Sequence, residues 1–239
     1  PLKHRPIIVG SGPAGLFCAY ELAKNGYEPI VFERGKDIAN RVKSVDEFIK
    51  TGELDVSSNI QFGEGGAGTF SDGKLTTRIN DKRCKYVIDT FIKCGAPEEL
   101  GYLAKPHIGT DVLRNVIVNL RNEIIRLGGS FHFESLMEDI KTNNDTVVSI
   151  KVNNKEIPCD ALIIAIGHSA RDTYKMLYNK NVFLQPKPFA VGYRIEHLQS
   201  FIDISQYGKY AGNPALGAAD YRLAYNGKDR SCFSFCMCP

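Results

Sequence analysis

The first glycine-rich turn of the chain places the tightest limit on its fold. An apolar run, Ile7-Ile8-Val9, leads into a turn with glycine at positions 10, 12 and 15, and an amphipathic stretch follows. An apolar strand, a glycine turn and a helix in this order are typical of the strand–helix–strand unit that binds nucleotide phosphates. Gly10 permits the tight turn, Gly12 lets a phosphate approach the backbone, and Gly15 lets the helix pack closely on the strand. The amino end of that helix then offers N–H groups and partial positive charge to an anion.

A second predicted strand completes this unit and ends in an acid. It runs from Pro29 to Phe32, and Glu33 follows about twenty residues after Gly12, the spacing at which an acidic side chain accepts hydrogen bonds from ribose hydroxyls. We therefore predict a dinucleotide-binding site. The alternative interpretation is a glycine turn in an unrelated α/β protein. The expected contact residues in this part of the chain are Gly10, Ser11, Gly12, Pro13, Ala14, Gly15, Glu33 and Arg34.

A second glycine-rich stretch runs from Phe62 to Thr77. Five of its first twelve residues are glycine, and hydroxyl side chains and a lysine follow, so the stretch cannot pack a core of its own. We predict a loop that lies against a bound cofactor, because glycine leaves room for a flat ligand and exposes backbone N–H groups. A flexible linker is the alternative, but the apolar side chains of Phe62, Phe70 and Leu75 argue against it. The expected contact residues are Gly65, Gly66, Gly68, Thr69 and Lys74.

Composition and charge argue against several classes of protein. The 239 residues are 43% hydrophobic, enough for a real core, and a net charge of +3 spread along the chain does not indicate nucleic-acid binding. No apolar run approaches the roughly 20 residues that span a bilayer, and no signal peptide is recognisable. Seven cysteines at irregular spacing do not form a disulfide framework. We expect a cytoplasmic protein without a nucleic-acid or membrane partner, and we expect the chain to be a fragment of something longer.

The remaining pattern predicts an α/β fold with a parallel sheet and an antiparallel excursion. Helices are predicted at 13–25, 36–50, 82–94, about 110–127 and 170–178, and strands of a β-meander at 130–134, 136–141, 146–153 and 156–158. The apolar run from Asp160 to Gly167 predicts a parallel strand buried on both faces, with Ala165 and Gly167 at the edge where ligands bind. Pro186 and Pro188 mark a domain boundary near residue 185. Further strands are predicted at 189–195, 198–202, 221–225 and 232–237.

Three further motifs are narrower than the first glycine turn. They are Gly65-Gly66-Ala67-Gly68-Thr69-Phe70-Ser71-Asp72-Gly73-Lys74-Leu75, Arg194-Ile195-Glu196-His197 and Ser234-Phe235-Cys236-Met237-Cys238-Pro239. Together with the first turn, Glu33 and the strand end Ala165-Ile166-Gly167, they make the chain resemble the two-dinucleotide-binding-domain flavoproteins. More narrowly, it is similar to a family of largely uncharacterised bacterial FAD-dependent dehydrogenases, and the similarity covers essentially the whole chain.

The resemblance implies FAD bound in an extended pose. It places the pyrophosphate at Gly10 to Gly15 and the adenosine ribose on Glu33. It also brings the loop from Gly65 to Lys74 near the flavin, and the turn from Ala165 to Gly167 over the cofactor. Such proteins carry an inserted substrate domain. We therefore expect residues 1–185 to be an FAD-binding Rossmann-like domain and residues 186–239 to begin a β-rich substrate domain.

Several side chains have a role that the sequence leaves open. Lys74 could stabilise a reduced flavin or be a solvated surface residue. Cys232, Cys236 and Cys238 are interpreted first as small buried side chains, then as redox thiols, and last as part of a metal site. Their spacing is unusual for a structural metal site and a fourth ligand is not evident, so we predict no metal.

No catalytic residue is assigned from the sequence, since a flavin carries the redox chemistry itself. His107, His168 and His197 are interpreted first as structural residues, and Arg171 could pair with a substrate carboxylate or with a neighbouring acid. We predict an FAD-dependent oxidoreductase, a dehydrogenase of an unidentified small molecule, with NAD(P)H as a candidate electron donor. The alternatives are a non-catalytic dinucleotide-binding module and an NAD-linked dehydrogenase without flavin, which leaves the second glycine loop without a task.

Overall fold

The computed structural model describes residues 2–70, 79, 81–102, 108–193 and 195–234. The chain divides into two compact units, residues 1–184 and 185–239, termed the first and the second unit. The first unit contains β1 (Ile7–Val9), α1 (Pro13–Lys24), β2 (Ile30–Phe32), α2 (Ile38–Thr51), α3 (Lys82–Lys93), α4 (Thr110–Arg126), β3 (Ser130–His132), β4 (Met137–Asn143), β5 (Thr146–Val152), β6 (Lys155–Pro158), β7 (Leu162–Ile164) and α5 (Arg171–Asn179), with 3-10 turns at Ala67–Phe70 and Glu98–Gly101. Within the described ranges, none of the helices combines the length and the apolar character of a membrane span.

A parallel sheet of four strands, in the order β3-β2-β1-β7, forms the centre of the first unit. β1 pairs with β2 on one side and with β7 on the other, so that Ile7 lies opposite both Ile30 and Leu162. Because all the pairings are parallel, the carboxyl ends of the strands meet at one edge of the sheet. The predicted α/β fold with a parallel sheet is confirmed.

Successive residues of β1 point to opposite faces of the sheet and enter different cores. Ile8 packs on one face with Leu16 of α1 and Leu120 of α4. Ile7 and Val9 pack on the other face with residues of β4, β5 and α5. Each fully buried side chain of this size contributes about 1.5–3 kcal/mol relative to an exposed one. Because both faces are buried, the strand is a continuous apolar run without alternation.

The antiparallel excursion is a three-stranded meander in the order β4-β5-β6. Both of its turns lie where asparagine and aspartate predict them. Asn144 and Asp145 join β4 to β5, Asn153 and Asn154 join β5 to β6, and all four residues have positive φ. Two consecutive residues of positive φ form the tight turn that matches the twist of a hairpin. Three of the four strands of the predicted meander and both of its turns are confirmed.

Two strands of the first unit differ from the prediction. The stretch 130–134, predicted as part of the meander, instead supplies β3 at the edge of the parallel sheet, with Ser130 opposite Ile30. The long helix α4 precedes it, and a strand that follows a crossover helix pairs in parallel. β7 is shorter than predicted and is an edge strand of the sheet, so Ile164 is 36% exposed rather than buried on both faces.

The second unit holds one helix and a hairpin among its described residues. Its elements are α6 (Gln199–Tyr207), a 3-10 turn (Gly208–Tyr210), β8 (Ala224–Asn226) and β9 (Ser231–Phe233), with β8 and β9 antiparallel. The predicted strand at 198–202 is wrong, because this segment lies largely within the helix α6. The Gln199 side-chain amide donates to Asp203 one helical turn later, and Ile202 is the buried residue of the helix. None of the described residues in the predicted strand 189–195 belongs to a strand.

Two glycines with positive φ allow a test of backbone packing in the first unit. Gly10 has φ +102°, and a Cβ there would lie 2.4 Å from the carbonyl oxygen of Ala165, whereas Gly26 has φ +78° and a Cβ would meet no atom within 4 Å. We expect Gly10→Ala to lower the free energy of unfolding in urea by about 3 kcal/mol, from strain and overlap together. Gly26→Ala carries the strain alone and should lower it by about 1 kcal/mol. Equal losses would contradict the packing of β1 against β7.

Candidate functional site

An open cleft of about 280 Å³ lies at the edge of the sheet where the strands end. Its walls come from the first glycine turn, the second glycine loop, the end of β2, the start of β4 and the turn after β7. Several of the residues singled out in the sequence line this cleft: Gly10, Gly12, Pro13, Ala14, Glu33, Arg34, Gly66, Ala165 and Gly167. Their shared cleft brings the residues of three separate sequence motifs to one place.

The amino end of α1 opens into the cleft without a side-chain cap. Gly12 is the N-cap residue, no side chain accepts from the first turn, and no acidic residue lies in that turn. Pro13 has no N–H, and the first intrahelical bond runs from Leu16 N to Gly12 O at 2.9 Å. The N–H groups at the start of a helix need a partner from outside the helix. An anion is the natural partner, since the helix dipole favours negative charge there.

The two glycine loops touch through their backbones. A Cβ on Gly66 would lie 3.1 Å from Gly12 Cα, whereas a Cβ on Gly12 would find its nearest protein atom at 3.8 Å. The Gly65 amide also donates to the Ser11 carbonyl at 2.9 Å. Gly12 therefore keeps open space on its cleft side, and a side chain there would fill volume that a bound phosphate could use.

Glu33 anchors the first loop from inside the fold. Its residue surface is 5% exposed. Oε2 accepts from the Ser11 amide at 2.8 Å and from the Ser11 hydroxyl at 2.9 Å, and Oε1 accepts from the Gly35 amide at 2.9 Å. A carboxylate has about four lone-pair positions, so Oε1 retains capacity for another donor. The predicted contact of Glu33 with a ribose remains a prediction.

Arg34 forms the wall of the cleft next to Glu33. Its Nη2 donates to Asp172 at 2.8 and 3.0 Å and to the Thr173 hydroxyl at 3.1 Å, and its Cζ lies 4.5 Å from the centre of the Phe62 ring. Burial acts to raise the pKa of the Asp172 carboxyl, but Arg34 and the Thr173 amide together outweigh it and the pKa lies below its usual value. Arg34 thus joins the end of β2 to the start of α5 and to Phe62, the first residue of the second glycine-rich stretch.

The second glycine loop is held by a side chain that the sequence analysis missed. Arg41 of α2 is fully buried and donates to the backbone carbonyls of Asn59, Ile60, Gly63, Glu64 and Gly66. The signal that could have found it is helical spacing, because Arg41 lies three residues after Ile38 and four before Val45, on the buried face of α2.

A second buried charge lies beneath the same loop. Glu64 is 0% exposed, and its Oε2 accepts from the Ile38 amide and from Arg121 Nη1, each at 2.8 Å. Oε1 has no hydrogen-bond partner among the described residues. Burial raises the pKa of the Glu64 carboxyl, although the Ile38 amide and Arg121 act in the opposite direction.

Other residues predicted for the site lie behind the cleft or outside the described residues. Ser11 and Thr69 are buried, and the Thr69 hydroxyl lies 3.4 Å from the Glu64 carbonyl rather than facing the cleft. Gly15 packs against the Gly10 carbonyl, where a Cβ would overlap it. Gly65 and Gly68 belong to the loop but do not line the cleft. The predictions for Lys74, His107, Cys236 and Cys238 fall outside the described residues.

The remaining candidates lie in different places. His168 lines the cleft, with its Nε2 3.4 Å from the Ser169 hydroxyl. His197 lies in the second unit, where its Nε2 is 2.9 Å from the Tyr221 hydroxyl, and the exposed Cys232 is part of β9. Arg171 begins α5. The part of the chain that the structure describes contains no cluster of three or more histidine, cysteine or acidic side chains that could hold a metal ion.

The buried Glu64 carboxyl predicts a distinctive pH dependence. A raised pKa disfavours the charged form in the folded state, so the stabilising contribution is complete below the ordinary value of 4.5 and is lost as the pH rises through the raised pKa. We expect Glu64→Gln to gain stability relative to the wild type as the pH rises above 4.5. Urea unfolding at several pH values measures this difference. A stability profile for Glu64→Gln that runs parallel to that of the wild type over this pH range would contradict the burial effect.

Two family models match separate parts of the chain. The model for an NAD(P)-binding Rossmann-like domain matches residues 8–69, which include both glycine turns up to Thr69. The model for the C-terminal domain-like part of FAD-dependent proteins matches residues 188–239. The first match covers the loops that form the cleft, and the second lies within the second unit.

Known proteins similar to this chain are longer than it. An uncharacterized protein of Clostridium beijerinckii is 55% identical over 240 residues, which are 100% of this chain and 45% of that protein. A ribosomal RNA dihydrouridine synthase of Haemophilus influenzae is 26% identical over 171 residues, 67% of this chain and 39% of that protein. The chain thus spans less than half the length of these relatives.

Among solved structures, THI4 of Thermovibrio ammonificans is similar to this chain with a TM-score of 0.47 and 18% identity, over 74% of this chain and 62% of that one. The chain is thus similar, over two separate stretches, to an NAD(P)-binding Rossmann-like domain and to the C-terminal domain of FAD-dependent proteins.

Proposed function

We propose that this chain is the FAD-binding part of an oxidoreductase that acts on a small molecule. The observation that carries the proposal is the uncapped amino end of α1, which opens into a cleft between two glycine loops. A dinucleotide has a diphosphate that needs N–H donors and a ribose that needs an acceptor, and this cleft contains both. Bound FAD would supply hydride or electron transfer through its flavin ring.

Different residues of the cleft bind different parts of such a cofactor. The turn from Gly10 to Gly15 binds the pyrophosphate, and Glu33 accepts the ribose hydroxyls through the free capacity of Oε1. Arg34 and Tyr174 line the cleft together with Glu33 and provide a partly apolar wall for the adenine. The Tyr174 hydroxyl donates to the Gly167 carbonyl at 2.9 Å, which fixes the turn after β7 at this wall. The role of the protein is to bind, orient and shield, because the cofactor supplies the redox step.

The second glycine loop favours FAD over NAD as the bound dinucleotide. A turn that binds only a pyrophosphate needs one glycine motif, whereas here a second loop packs against it backbone to backbone and extends the cleft. This supports FAD over an NAD-linked dehydrogenase without flavin. NAD(P)H is proposed as the electron donor. The name of the Haemophilus influenzae relative denotes formation of a dihydro product, which is a reduction and is consistent with a donor of this kind.

The first test is an absorbance scan of this chain and of the longer Clostridium beijerinckii relative, each purified without added cofactor and then titrated with FAD. Flavin absorption bands, FAD released by heating, and bleaching by NADH or NADPH would support an oxidoreductase. Bound FAD that no reductant bleaches would favour a non-catalytic dinucleotide-binding module. If both proteins are colourless and take up no added FAD, the proposed cofactor is wrong.

Gly12→Ala separates cofactor binding from folding. The new Cβ meets only an ordinary contact at 3.8 Å, and φ at this residue is −71°, so neither overlap nor strain follows in the free protein. The side chain enters the space proposed for the pyrophosphate. We expect the dissociation constant for FAD to rise about tenfold or more, while the urea midpoint without FAD falls only by the small cost of alanine at a helix N-cap.

Gly109→Ala is the matched control for that experiment. Gly109 is also a glycine N-cap, at the start of α4, with φ −55° and open space around the position of a Cβ. It should leave the affinity for FAD unchanged and should carry the same N-cap cost as Gly12→Ala, up to about 1 kcal/mol of stability. Unchanged FAD affinity in Gly12→Ala would place the pyrophosphate elsewhere.

A further inference from the structure

We propose that Arg41 is a positioning residue for the cofactor. Its guanidinium does not line the cleft; it orients the peptide groups of the second glycine loop so that one N–H holds the first loop and another faces the cofactor. The inference rests on the proposed binding of FAD and adds to it a residue outside the binding motifs. The same geometry assigns the Ala67 amide as a donor to the bound dinucleotide.

Every nitrogen of the Arg41 guanidinium donates to a backbone carbonyl of the described residues. Nε donates to Asn59 at 2.9 Å and Nη2 to Ile60 at 2.9 Å. Nη1 donates to Gly63, Glu64 and Gly66 at 3.3, 2.6 and 2.8 Å. A buried guanidinium is costly unless such bonds satisfy it. Five carbonyls that converge on one side chain mean that this stretch of loop is shaped around Arg41.

The charge of Arg41 is retained despite its burial. Burial lowers the pKa of the guanidinium to about 10, and the nearby Glu33 and Glu64 carboxylates act to raise it. The group is therefore protonated at neutral pH and keeps all its donors. Its Cζ also lies 4.6 Å from the centre of the Phe70 ring, which adds a contact at the far end of the loop.

Peptide planarity carries the effect of these bonds to the other side of the loop. In a trans peptide the C=O and the following N–H point in opposite directions. The Glu64 carbonyl points to Arg41, and the Gly65 amide accordingly points away and donates to Ser11 O at 2.9 Å. The Gly63 carbonyl also points to Arg41, and the Glu64 amide donates away from it to Lys36 O at 3.1 Å.

The same relation assigns the next amide along the loop. The Gly66 carbonyl points to Arg41, so the Ala67 amide points to the opposite side. Gly66 and Ala67 both line the cleft, next to Gly12 and Pro13 of the first turn. The Ala67 N–H is thus placed to donate to an acceptor on the cofactor. Its orientation depends on Arg41, which lies one peptide behind the wall of the cleft.

The fork of an arginine is needed for this arrangement. A lysine carries its three donors on one nitrogen and cannot reach carbonyls spread over eight residues of chain. Arg41→Lys therefore keeps the positive charge but loses most of the hydrogen bonds to the loop carbonyls. Arg41→Met removes both. Lys43→Met provides a control on the same helix, since it removes an exposed positive charge.

The experiment compares FAD affinity with loop order in these variants of the whole chain. Flavin fluorescence gives the dissociation constant, and hydrogen exchange without FAD reports the amides of Gly65 and of α4. We expect Arg41→Lys to weaken FAD binding about tenfold or more and to lose protection at Gly65, with α4 still protected. Lys43→Met should change neither measurement. A variant destabilised in the core, Leu120→Ala, should bind FAD with unchanged affinity in its folded fraction.

The outcomes separate this inference from the proposed function. Wild-type chain that binds no FAD would contradict the proposed function itself. If the wild type binds FAD and both Arg41→Lys and Arg41→Met bind it with the same affinity, the inference about Arg41 is overturned while the proposed function stands. Equal weakening in Leu120→Ala would also overturn it, because the effect would then follow from general destabilisation. If Arg41→Met does not fold, the folded Arg41→Lys chain carries the test, and failure of both would show a purely structural role.

Discussion

Ser11 is held from both sides, and the candidate site depends on that arrangement. Its amide and hydroxyl donate to the Glu33 carboxylate, and its carbonyl accepts from the Gly65 amide. The first contact ties the turn after β1 to the end of β2, and the second ties it to the second glycine loop. A single buried residue thus sets the distance between the two loops, and the width of the cleft follows from that distance.

The interior behind the cleft combines the acid of the first motif with two further buried charges of opposite sign, Arg41 and Glu64. Arg41 and Glu64 are fully buried, and Glu33 is nearly so. Buried charges weaken a fold unless hydrogen bonds satisfy them. Here the backbone supplies most of those bonds: Arg41 donates to carbonyls of the second loop, and Glu33 accepts from the amides of Ser11 and Gly35. A glycine-rich segment gains order in this way without side chains of its own, which offsets the conformational entropy that glycine loses.

The sequence predicts those elements whose conformation depends on residues close together in the chain. The strand, turn and helix around Gly10 to Gly15 follow from residue type and spacing, and so do the turns of the meander with their asparagines. The role of Arg41 could not be predicted with the same means, because its partners lie 18 to 25 positions away in a loop without periodicity. The pairing of β3 and the edge position of β7 depend on long-range contacts as well. The segment of α6 is predicted as a strand for another reason. A short apolar run fits the periodicity of a strand and that of a helix equally well, and only its tertiary contacts decide between them.

The electrostatics of the cleft favour an anion over a neutral ligand. The first turn of α1 carries no acid, and Glu33, the acid next to it, already accepts three hydrogen bonds from backbone and hydroxyl donors. Arg41 lies one peptide behind the wall that Gly66 provides. Because its guanidinium is withdrawn from solvent, salt screens its field much less than that of a surface charge. Glu33 and Glu64 lie close to Arg41 and offset part of its field, so the N–H groups at the start of α1 would give a diphosphate placed between the loops most of its electrostatic stabilisation.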